Sequence, residues 1–375
     1  METIIGAGIA LFTMYAADRW KKSDAEKIQH TFKNIGYAVG DHEPRLFKKH
    51  KTDGYTLYTY HVPFGLIDDD KLQVLEKVLN KPVKISFTNQ KLQIKVYKNK
   101  MPVKVEYDWN KTDGWTVPMG QSQERFILHD FDKIPHMTIA GMTRQGKTVL
   151  LKLILAHLIN NHSDDAEFMV IDLKGGLEFN QYRNLKQMKS VASNVSETKQ
   201  ALSDVLNQIE SDMSHYKEKG YTNVLDTNIS KRKFIIVDEA AELVPPGHLS
   251  KDEKKPYSYC QHALSEIARI AGALGYRLIF CTQYPTADTL PRQIKQNADA
   301  KVSFRLPTEI ASRVAIDEQG AESIANIGRA IYRTSKKHIV QVPYVENIKE
   351  RLGDHFVSPT TEEDAEGRAD TVQFG

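Results

Sequence analysis

An eight-residue run near the middle of the chain carries the phosphate-binding pattern G-x-x-x-x-G-K-[S/T] at every fixed position. The run is Gly141-Met142-Thr143-Arg144-Gln145-Gly146-Lys147-Thr148, between an apolar segment, residues 137–140, and an amphipathic one, residues 149–154. A strand, a glycine-rich loop and a helix N-terminus in this order present unpaired amide groups to phosphate. Lys147 is expected to reach the terminal phosphates and the Thr148 hydroxyl to bind Mg²⁺. The pattern predicts a site for ATP with Mg²⁺.

A second apolar segment, residues 234–237, ends in the acidic pair Asp238-Glu239. At the end of a buried strand Asp238 would lie beside the metal ion, and Glu239 would polarise an attacking water. Such a pair alone is a weak signal, but behind a full phosphate loop it favours hydrolysis over binding alone. A third segment, residues 278–281, leads to Gln283, which either senses the γ-phosphate or is an ordinary polar strand end. We predict catalytic roles for Glu239, Lys147 and Gln283.

The elements that must position these residues follow from short apolar runs. The runs are too short for helices and too continuous for exposed strands, and they comprise residues 137–140, 168–171, 234–237 and 278–281. Helical patterns lie between or beside them, over residues 149–159, 197–217 and 257–273. Buried strands that alternate with helices predict an α/β fold with a mostly parallel sheet.

The front of the chain has a different pattern. We predict a polar helix and a loop over residues 24–50, strands over 55–62, 83–87 and 92–97, and a helix over 71–79 that is capped by the acids at 68–70. These elements form a small α+β module without a catalytic constellation. A connection over residues 109–120 precedes the α/β part. The predicted domains are residues 1–22, 23–112, 113–346 and 347–375, the last being a short helix and an acidic disordered tail.

Composition and charge give evidence about the partners and the cellular compartment of this chain. Over 375 residues the net charge is +3, with 19 Lys/Arg against 13 Asp/Glu in residues 1–112 and one Arg against six acids in residues 353–375. A basic front and an acidic tail fit either a bound anionic partner or a solvated surface. The two cysteines, Cys260 and Cys281, indicate a reducing compartment. Residues 3–17 are apolar and are followed by cations, so they are either a membrane anchor or a docking helix, with the rest of the chain cytoplasmic.

Several further motifs resemble those of one known family, in the same order along the chain. They include His136-Met137 before the phosphate loop, Asp172-Leu173-Lys174-Gly175, Val237-Asp238-Glu239-Ala240, Gly275-Tyr276-Arg277, Thr282-Gln283-Tyr284-Pro285, Ser312-Arg313 and Gly320-Ala321-Glu322. Over about residues 113–346 the chain resembles the FtsK/SpoIIIE-type DNA translocases. It resembles in particular the short members carried by plasmids and conjugative elements.

This resemblance implies a RecA-like P-loop NTPase core in a homo-hexameric ring, with nucleotide between neighbours and non-sequence-specific duplex DNA in the pore. A ring site needs a cation from the adjacent subunit. The family's arginine follows an Asn-x-Pro-Thr turn, which is absent here, so the candidates are Lys301, Arg305 and Arg313. The large members also carry a C-terminal module that reads DNA orientation. About 30 residues follow Tyr344, so we expect no sequence-directed movement by that route.

Three functions remain in competition. The leading hypothesis is a DNA translocase, with a role as the coupling ATPase that delivers a mobile element's DNA to transfer-channel or relaxosome proteins. A protein-secretion motor shares the same core, although those relatives usually have several tandem cores. A non-motor assembly factor would use ATP as a structural switch, which the intact set of Lys147, Thr148, Asp238 and Glu239 disfavours.

Overall fold

A computed structural model describes residues 22–66, 70–109 and 112–357. The chain forms two compact units that divide between Met101 and Pro102. The apolar segment at residues 3–17, two of the three predicted capping acids and the predicted tail beyond residue 357 lie outside the described residues. Within the described ranges, no helix is long and apolar enough to cross a membrane.

The smaller unit is a four-stranded antiparallel sheet with helices on one face. Its strand order is β1-β2-β4-β3. The elements in chain order are α1 (Asp24–Asn34), β1 (Arg45–Lys51), β2 (Tyr55–His61), a 3₁₀ turn (Asp70–Gln73), α2 (Val74–Leu79), β3 (Val83–Thr88) and β4 (Lys91–Tyr97).

The core of this unit comes from alternate positions of its two central strands. Tyr58 and Tyr60 of β2 and Ile94 of β4 are buried in one cluster with Phe32 of α1 and Leu75 of α2. Because side chains of a strand alternate between faces, both described helices of this unit pack on the same face of the sheet, and the intervening strand residues lie on the opposite face.

Strand β1 corrects the prediction of a loop before residue 51. All seven of its residues are exposed, so it has no apolar alternation that could predict a strand. Its order comes from backbone pairing with β2 at the sheet edge, with a bulge between Leu46 and Lys48. The predicted helix over 71–79 is present as the 3₁₀ turn followed by α2.

The larger unit is built on one mixed ten-stranded sheet. Its order is β6-β5-β14-β13-β12-β7-β11-β10-β8-β9, and the six strands from β12 to β9 are parallel. The strands are β5 (Thr116–Ser122), β6 (Phe126–Asp130), β7 (Met137–Ala140), β8 (Ala166–Ile171), β9 (Met188–Ala192), β10 (Arg232–Val237), β11 (Tyr276–Thr282), β12 (Ala300–Ser303), β13 (Arg329–Arg333) and β14 (Lys337–Gln341). The helices are α3 (Lys147–Asn161), α4 (Val195–Lys219), α5 (Lys251–Ile270), α6 (Arg292–Asn297), α7 (Glu309–Ile316) and α8 (Ile348–Arg351).

The four strands predicted from apolar runs are present as β7, β8, β10 and β11, and each is fully or almost fully buried. The predicted connection over 109–120 is partly wrong, because Thr116–Ser122 is strand β5. Pro118 and Gly120 signal a turn in the sequence, but here they flank a bulge in the β5–β6 pairing. Helix α5 starts at Lys251, before Pro256, because Ser250 and Glu253 form a capping box there.

The Asp317 carboxylate forms ion pairs with side chains from three elements of the larger unit. Its carboxylate lies 2.8 Å from Lys295 Nζ on α6, 2.5 Å from Lys301 Nζ on β12 and 2.9 Å from Arg333 Nη1 on β13. Asp317 itself ends α7 with φ +60°. Burial opposes its ionisation, but hydrogen bonds from Lys295 and Lys301 lower the pKa of Asp317 to about 2. This carboxylate therefore joins two helices to the sheet.

The Asp317→Asn variant should lose stability, because Lys295 and Lys301 would lose their paired carboxylate and Arg333 would keep only Glu318, at 3.7 Å. We expect the free energy of unfolding to fall by about 1–2 kcal/mol, between exposed and buried ion pairs. The control Glu309→Gln removes a carboxylate from an exposed i,i+4 pair with Arg313 and should cost less than about 0.5 kcal/mol. Urea unfolding at pH 7 measures both values.

The pH dependence of this loss has a definite sign. A carboxyl whose pKa is lower in the folded than in the unfolded protein stabilises the fold above pH 4, and this contribution disappears as the pH falls toward 2. The difference between wild type and Asp317→Asn should therefore shrink below pH 4. An equal loss in both variants, or a difference that is constant from pH 5 to pH 3, would contradict the role of Asp317.

Candidate nucleotide site

The phosphate loop connects the end of β7 to the first turn of α3, as the sequence predicts. Gly141 and Gly146 have φ values of +152° and +117°, which disfavour other residues. Phe304 lies against both glycines. A Cβ atom on Gly141 would be 2.6 Å from Phe304 Cβ, and one on Gly146 would be 3.0 Å from Phe304 Cε1. The loop can follow this path only because both positions lack a side chain.

Backbone hydrogen bonds hold the loop from two sides. The Met142 N–H donates to the Arg305 carbonyl at 2.9 Å, and the Gly328 N–H donates to the Gln145 carbonyl at 3.0 Å. Both partners lie on segments that belong to the same sheet, after β12 and before β13. The loop is therefore fixed by the sheet, and the N-terminus of α3 points its amides into the cleft beside it.

The Lys147 ammonium is folded back onto the loop. It donates hydrogen bonds to the carbonyls of Gly141 and Met142. The residue is 5% exposed, and burial lowers the pKa of Lys147 below that of an ordinary lysine, while the charge of Glu239 opposes this shift. A phosphate group would replace two neutral carbonyls with a full counter-charge.

Asp238 follows β10 directly and is 2% exposed. Burial raises the pKa of Asp238 to about 6, and the neighbouring carboxylates of Asp172 and Glu239 add to this shift against the charge of Lys174. Asp172 ends the adjacent strand β8, where one oxygen accepts the N–H groups of Glu178 and Phe179 at 3.0 Å. Its other oxygen has no hydrogen-bond partner among the described residues. The carboxylates of Asp172, Asp238 and Glu239 therefore lie close together at the carboxyl ends of β8 and β10.

These residues fit the Mg²⁺ ion that the phosphate loop implies. Thr148 and Asp238 line one cleft, and they offer a hydroxyl and a carboxylate oxygen, which are the donors that Mg²⁺ prefers. Burial raises the pKa of Asp238, so a cation beside this carboxylate would favour its ionised form. Thr148 and Asp238 would therefore hold the ion together with nucleotide phosphates.

Glu239 lies behind the cleft and is held by three groups. One carboxylate oxygen accepts the Gln283 N–H at 3.0 Å and the Ala241 N–H at 3.4 Å, and the other lies 3.2 Å from Lys174 Nζ. The side-chain oxygen of Gln283 accepts the Thr143 hydroxyl at 2.9 Å. Gln283 therefore joins the phosphate loop to Glu239. Lys174 was identified from the sequence only as part of a motif, without a role.

The cleft has a volume of about 830 Å³ and an apolar end. Its polar part is lined by predicted residues, namely Met142, Thr143, Arg144, Gly146, Lys147, Thr148, Asp238 and Gln283. The apolar part is lined by Val103, Val105, Ile327, Val342 and Tyr344. The sequence did not indicate these apolar residues, because they come from three separate segments that share no motif. A volume of this size is large enough for a nucleotide.

The three candidate trans cations are in different situations. The Lys301 ammonium is bound to Asp317 of its own chain. Arg313 is exposed and pairs with Glu309 one turn away, which is a weak interaction. Arg305 is exposed beside its own phosphate loop, and within the described residues no ion pair joins it to a carboxylate. Arg305 and Arg313 are therefore exposed cations, whereas the Lys301 ammonium is paired with Asp317.

One known protein family matches part of this chain. A model of the FtsK/SpoIIIE family matches residues 102–234. The DNA translocase FtsK of Helicobacter pylori is 31% identical over 217 residues, which are 55% of this chain and 24% of that protein. The DNA translocase FtsK of Chlorobaculum tepidum is 25% identical over 264 residues, which are 65% of this chain and 32% of that protein. The chain thus spans a quarter to a third of the length of these relatives.

Two solved structures are similar in fold. The pCW3 conjugation coupling protein TcpA, in its monomer form with ATPγS, has a TM-score of 0.64 and 20% identity over 87% of this chain and 98% of that chain. The cytoplasmic domain of the type VII secretion ATPase EccC from Thermomonospora curvata has a TM-score of 0.55 and 18% identity over 68% of this chain and 34% of that chain. The predicted α/β fold with a RecA-like P-loop core is thereby confirmed. With the family match, these findings confirm the resemblance of this chain to the FtsK/SpoIIIE family.

Proposed function

We propose that this chain is an ATP-driven translocase of duplex DNA. One observation carries the enzymatic part of the proposal. Lys147, Thr148 and Asp238 line a single cleft. Glu239 lies directly behind it, where its carboxylate accepts a hydrogen bond from the Gln283 N–H. Phosphate anhydride hydrolysis requires these groups: a cation for the phosphates, oxygen ligands for a metal and a carboxylate for water. The FtsK proteins named above as DNA translocases support the DNA part.

Each residue has a defined task in the proposed reaction. The Lys147 ammonium exchanges the carbonyls of Gly141 and Met142 for the β- and γ-phosphates. Bound Mg²⁺ supplies charge neutralisation on the phosphate oxygens. Glu239 orients the attacking water and accepts its proton, once Lys174 is drawn toward the phosphates and no longer compensates the carboxylate. Lys174 therefore sets the charge balance at Glu239.

The proposed link between hydrolysis and movement is Gln283. Its amide bonds the Thr143 hydroxyl of the phosphate loop, and its backbone bonds Glu239. A γ-phosphate that competes for the Thr143 hydroxyl would release the Gln283 side chain, and loss of that phosphate would restore the bond. The carboxyl end of β11 would then report the state of the nucleotide.

We further propose that six identical subunits form a ring. In this ring Arg305 or Arg313 reaches the nucleotide bound to the neighbouring subunit. The similarity to a conjugation coupling protein supports a role in delivering a mobile element's DNA to transfer-channel or relaxosome proteins. The fold similarity to a secretion ATPase keeps a protein substrate as the alternative outcome of the same assay. Membrane contact through residues 3–17 remains a prediction.

The proposal predicts ATP hydrolysis that is stimulated by duplex DNA. Lys147→Ala should abolish both nucleotide binding and turnover. Glu239→Gln should bind ATP with near wild-type affinity and lose turnover by about 10²–10⁴-fold, because it removes the base but keeps the cleft. Phosphate release is measured with duplex DNA, single-stranded DNA, an unfolded peptide and no addition. Stimulation by peptide but not by duplex DNA would support a secretion motor and contradict the proposal.

The link through Gln283 predicts a separation of binding from stimulation. Gln283→Ala should leave ATP affinity within about threefold but lower DNA-stimulated turnover by about 10–100-fold, because the Thr143 bond is lost. Gln200→Ala, on an exposed face of α4, is the matched control and should change neither quantity. Equal loss of basal and stimulated turnover in Gln283→Ala would show a general role in catalysis and not in coupling.

A further inference from the structure

The four strands of the smaller unit carry one sign of charge. They contain seven Lys or Arg residues and no Asp or Glu. The seven are Arg45, Lys48, Lys49, Lys51, Lys84, Lys91 and Lys95. An ordinary solvated surface mixes both signs, because like charges repel. A sheet whose strands carry cationic but no acidic side chains therefore favours an anionic partner.

The strand registers place five of these cations on the face opposite the described helices α1 and α2. Because Tyr58 and Tyr60 face the helices, the residues at 57, 59 and 61 face outward. Three rows then cross the four strands: Arg45–His61–Lys91–Thr88, Lys48–Thr59–Gln93–Ser86 and His50–Leu57–Lys95–Lys84. We call these twelve residues the basic sheet face. It is about 14 Å wide, and cations lie at both of its edges.

Four of the five cations on the basic sheet face have no ion pair with a carboxylate among the described residues. Within the described part of the chain, no ion pair joins a carboxylate to Arg45, Lys48, Lys84 or Lys91. Lys84 also lies directly opposite Lys95 on the paired strand. Like charges in this relation destabilise a sheet. An anion bound across the face would remove that cost.

Aromatic rings on this side of the sheet hold ammonium groups. The Lys91 Nζ lies 4.1 Å from the centre of the Phe47 ring, which also meets the His61 ring edge-on at 4.5 Å. The Lys95 Nζ lies 4.3 Å from the centre of the Tyr55 ring. These rings are covered by cations, so they are poorly placed to stack on unpaired bases or to enter a lipid layer. The face suits a polyanion that presents phosphates on its outside.

We propose that the basic sheet face binds the sugar–phosphate backbone of duplex DNA without reading sequence. The cations lie on three of the four strands, so they spread over the face in two dimensions, as the phosphates of the two strands of a duplex do. Contacts to phosphate fix a protein on the duplex but carry no sequence information. This contact lies outside the ATPase unit, and its binding does not depend on ATP turnover.

The test is fluorescence anisotropy of the full chain without nucleotide, with a short labelled duplex of mixed sequence and a series of salt concentrations. Lys48→Gln/Lys84→Gln removes one cation at each edge of the face. The matched control Lys33→Gln/Lys77→Gln removes two exposed cations from α1 and α2. We expect about tenfold or greater weakening for the first double variant, with a salt slope smaller by about 2, and less than about twofold weakening for the control.

Two readouts separate this result from misfolding and from failure of the proposed ATPase. Lys84→Gln removes the opposition to Lys95, so the thermal midpoint should not fall. If it does fall, Arg45→Gln/Lys48→Gln on the exposed strand β1 makes the same test. The loss of DNA binding should also appear in a Lys147→Ala background. In the chain that keeps Lys147, the double variant should hydrolyse ATP in the absence of DNA at the wild-type rate.

Three outcomes would overturn the proposal. One is equal weakening by both double variants, which would show a dependence on net charge alone. Another is an unchanged salt slope. The third is a change of partner: an equal or larger loss on single-stranded DNA of the same length, or loss of binding to vesicles that contain phosphatidylserine while duplex binding is unchanged.

Discussion

The contact of Phe304 with Gly141 and Gly146 is the constraint on which the nucleotide site depends. Phe304 follows β12, and its N–H donates to the Ala140 carbonyl at 2.8 Å. The Cβ atom of Phe304 lies close to where a Cβ atom on Gly141 would be, and its ring lies close to where one on Gly146 would be, so the loop must curve around this residue. Because that path fixes the amides of the loop and the start of α3, a strand at the centre of the sheet determines how phosphate is bound. The packing that holds this part of the sheet together therefore also sets the geometry of the phosphate site.

Buried charges of both signs lie together in the cleft. Asp172, Asp238 and Glu239 are buried within one strand edge, and two ammonium groups, Lys147 and Lys174, face them. Neither set is satisfied: burial raises the pKa of Asp238 and lowers the pKa of Lys147. A magnesium nucleotide would bring phosphate charge to the ammonium groups and a metal ion to the carboxylates.

Local sequence patterns predicted the parts of the structure that are themselves local. The phosphate loop, β7 and the Asp238-Glu239 pair are each specified within a few adjacent residues, and they are present as predicted. Strands β1 and β5 were missed because their order comes from pairing with another strand, while their own residues are charged or carry turn signals.

The partners of individual side chains were the least predictable features. Lys301 meets Asp317 only because β12 and the end of α7 come together in space. The apolar end of the cleft combines Val105, Ile327 and Val342, from segments that lie far apart in the chain. Such contacts depend on the register of the whole sheet, and no pattern within a short window of sequence records them.

The most direct test of the account is displacement of a third DNA strand from a duplex by this protein. If ATP hydrolysis drives movement along duplex DNA, the labelled strand should be released only with hydrolysable ATP, after a lag that lengthens in proportion to the duplex between the loading end and the triplex. Release in ATPγS, a lag that is independent of this distance, or no release by a preparation that hydrolyses ATP would contradict the proposed motor.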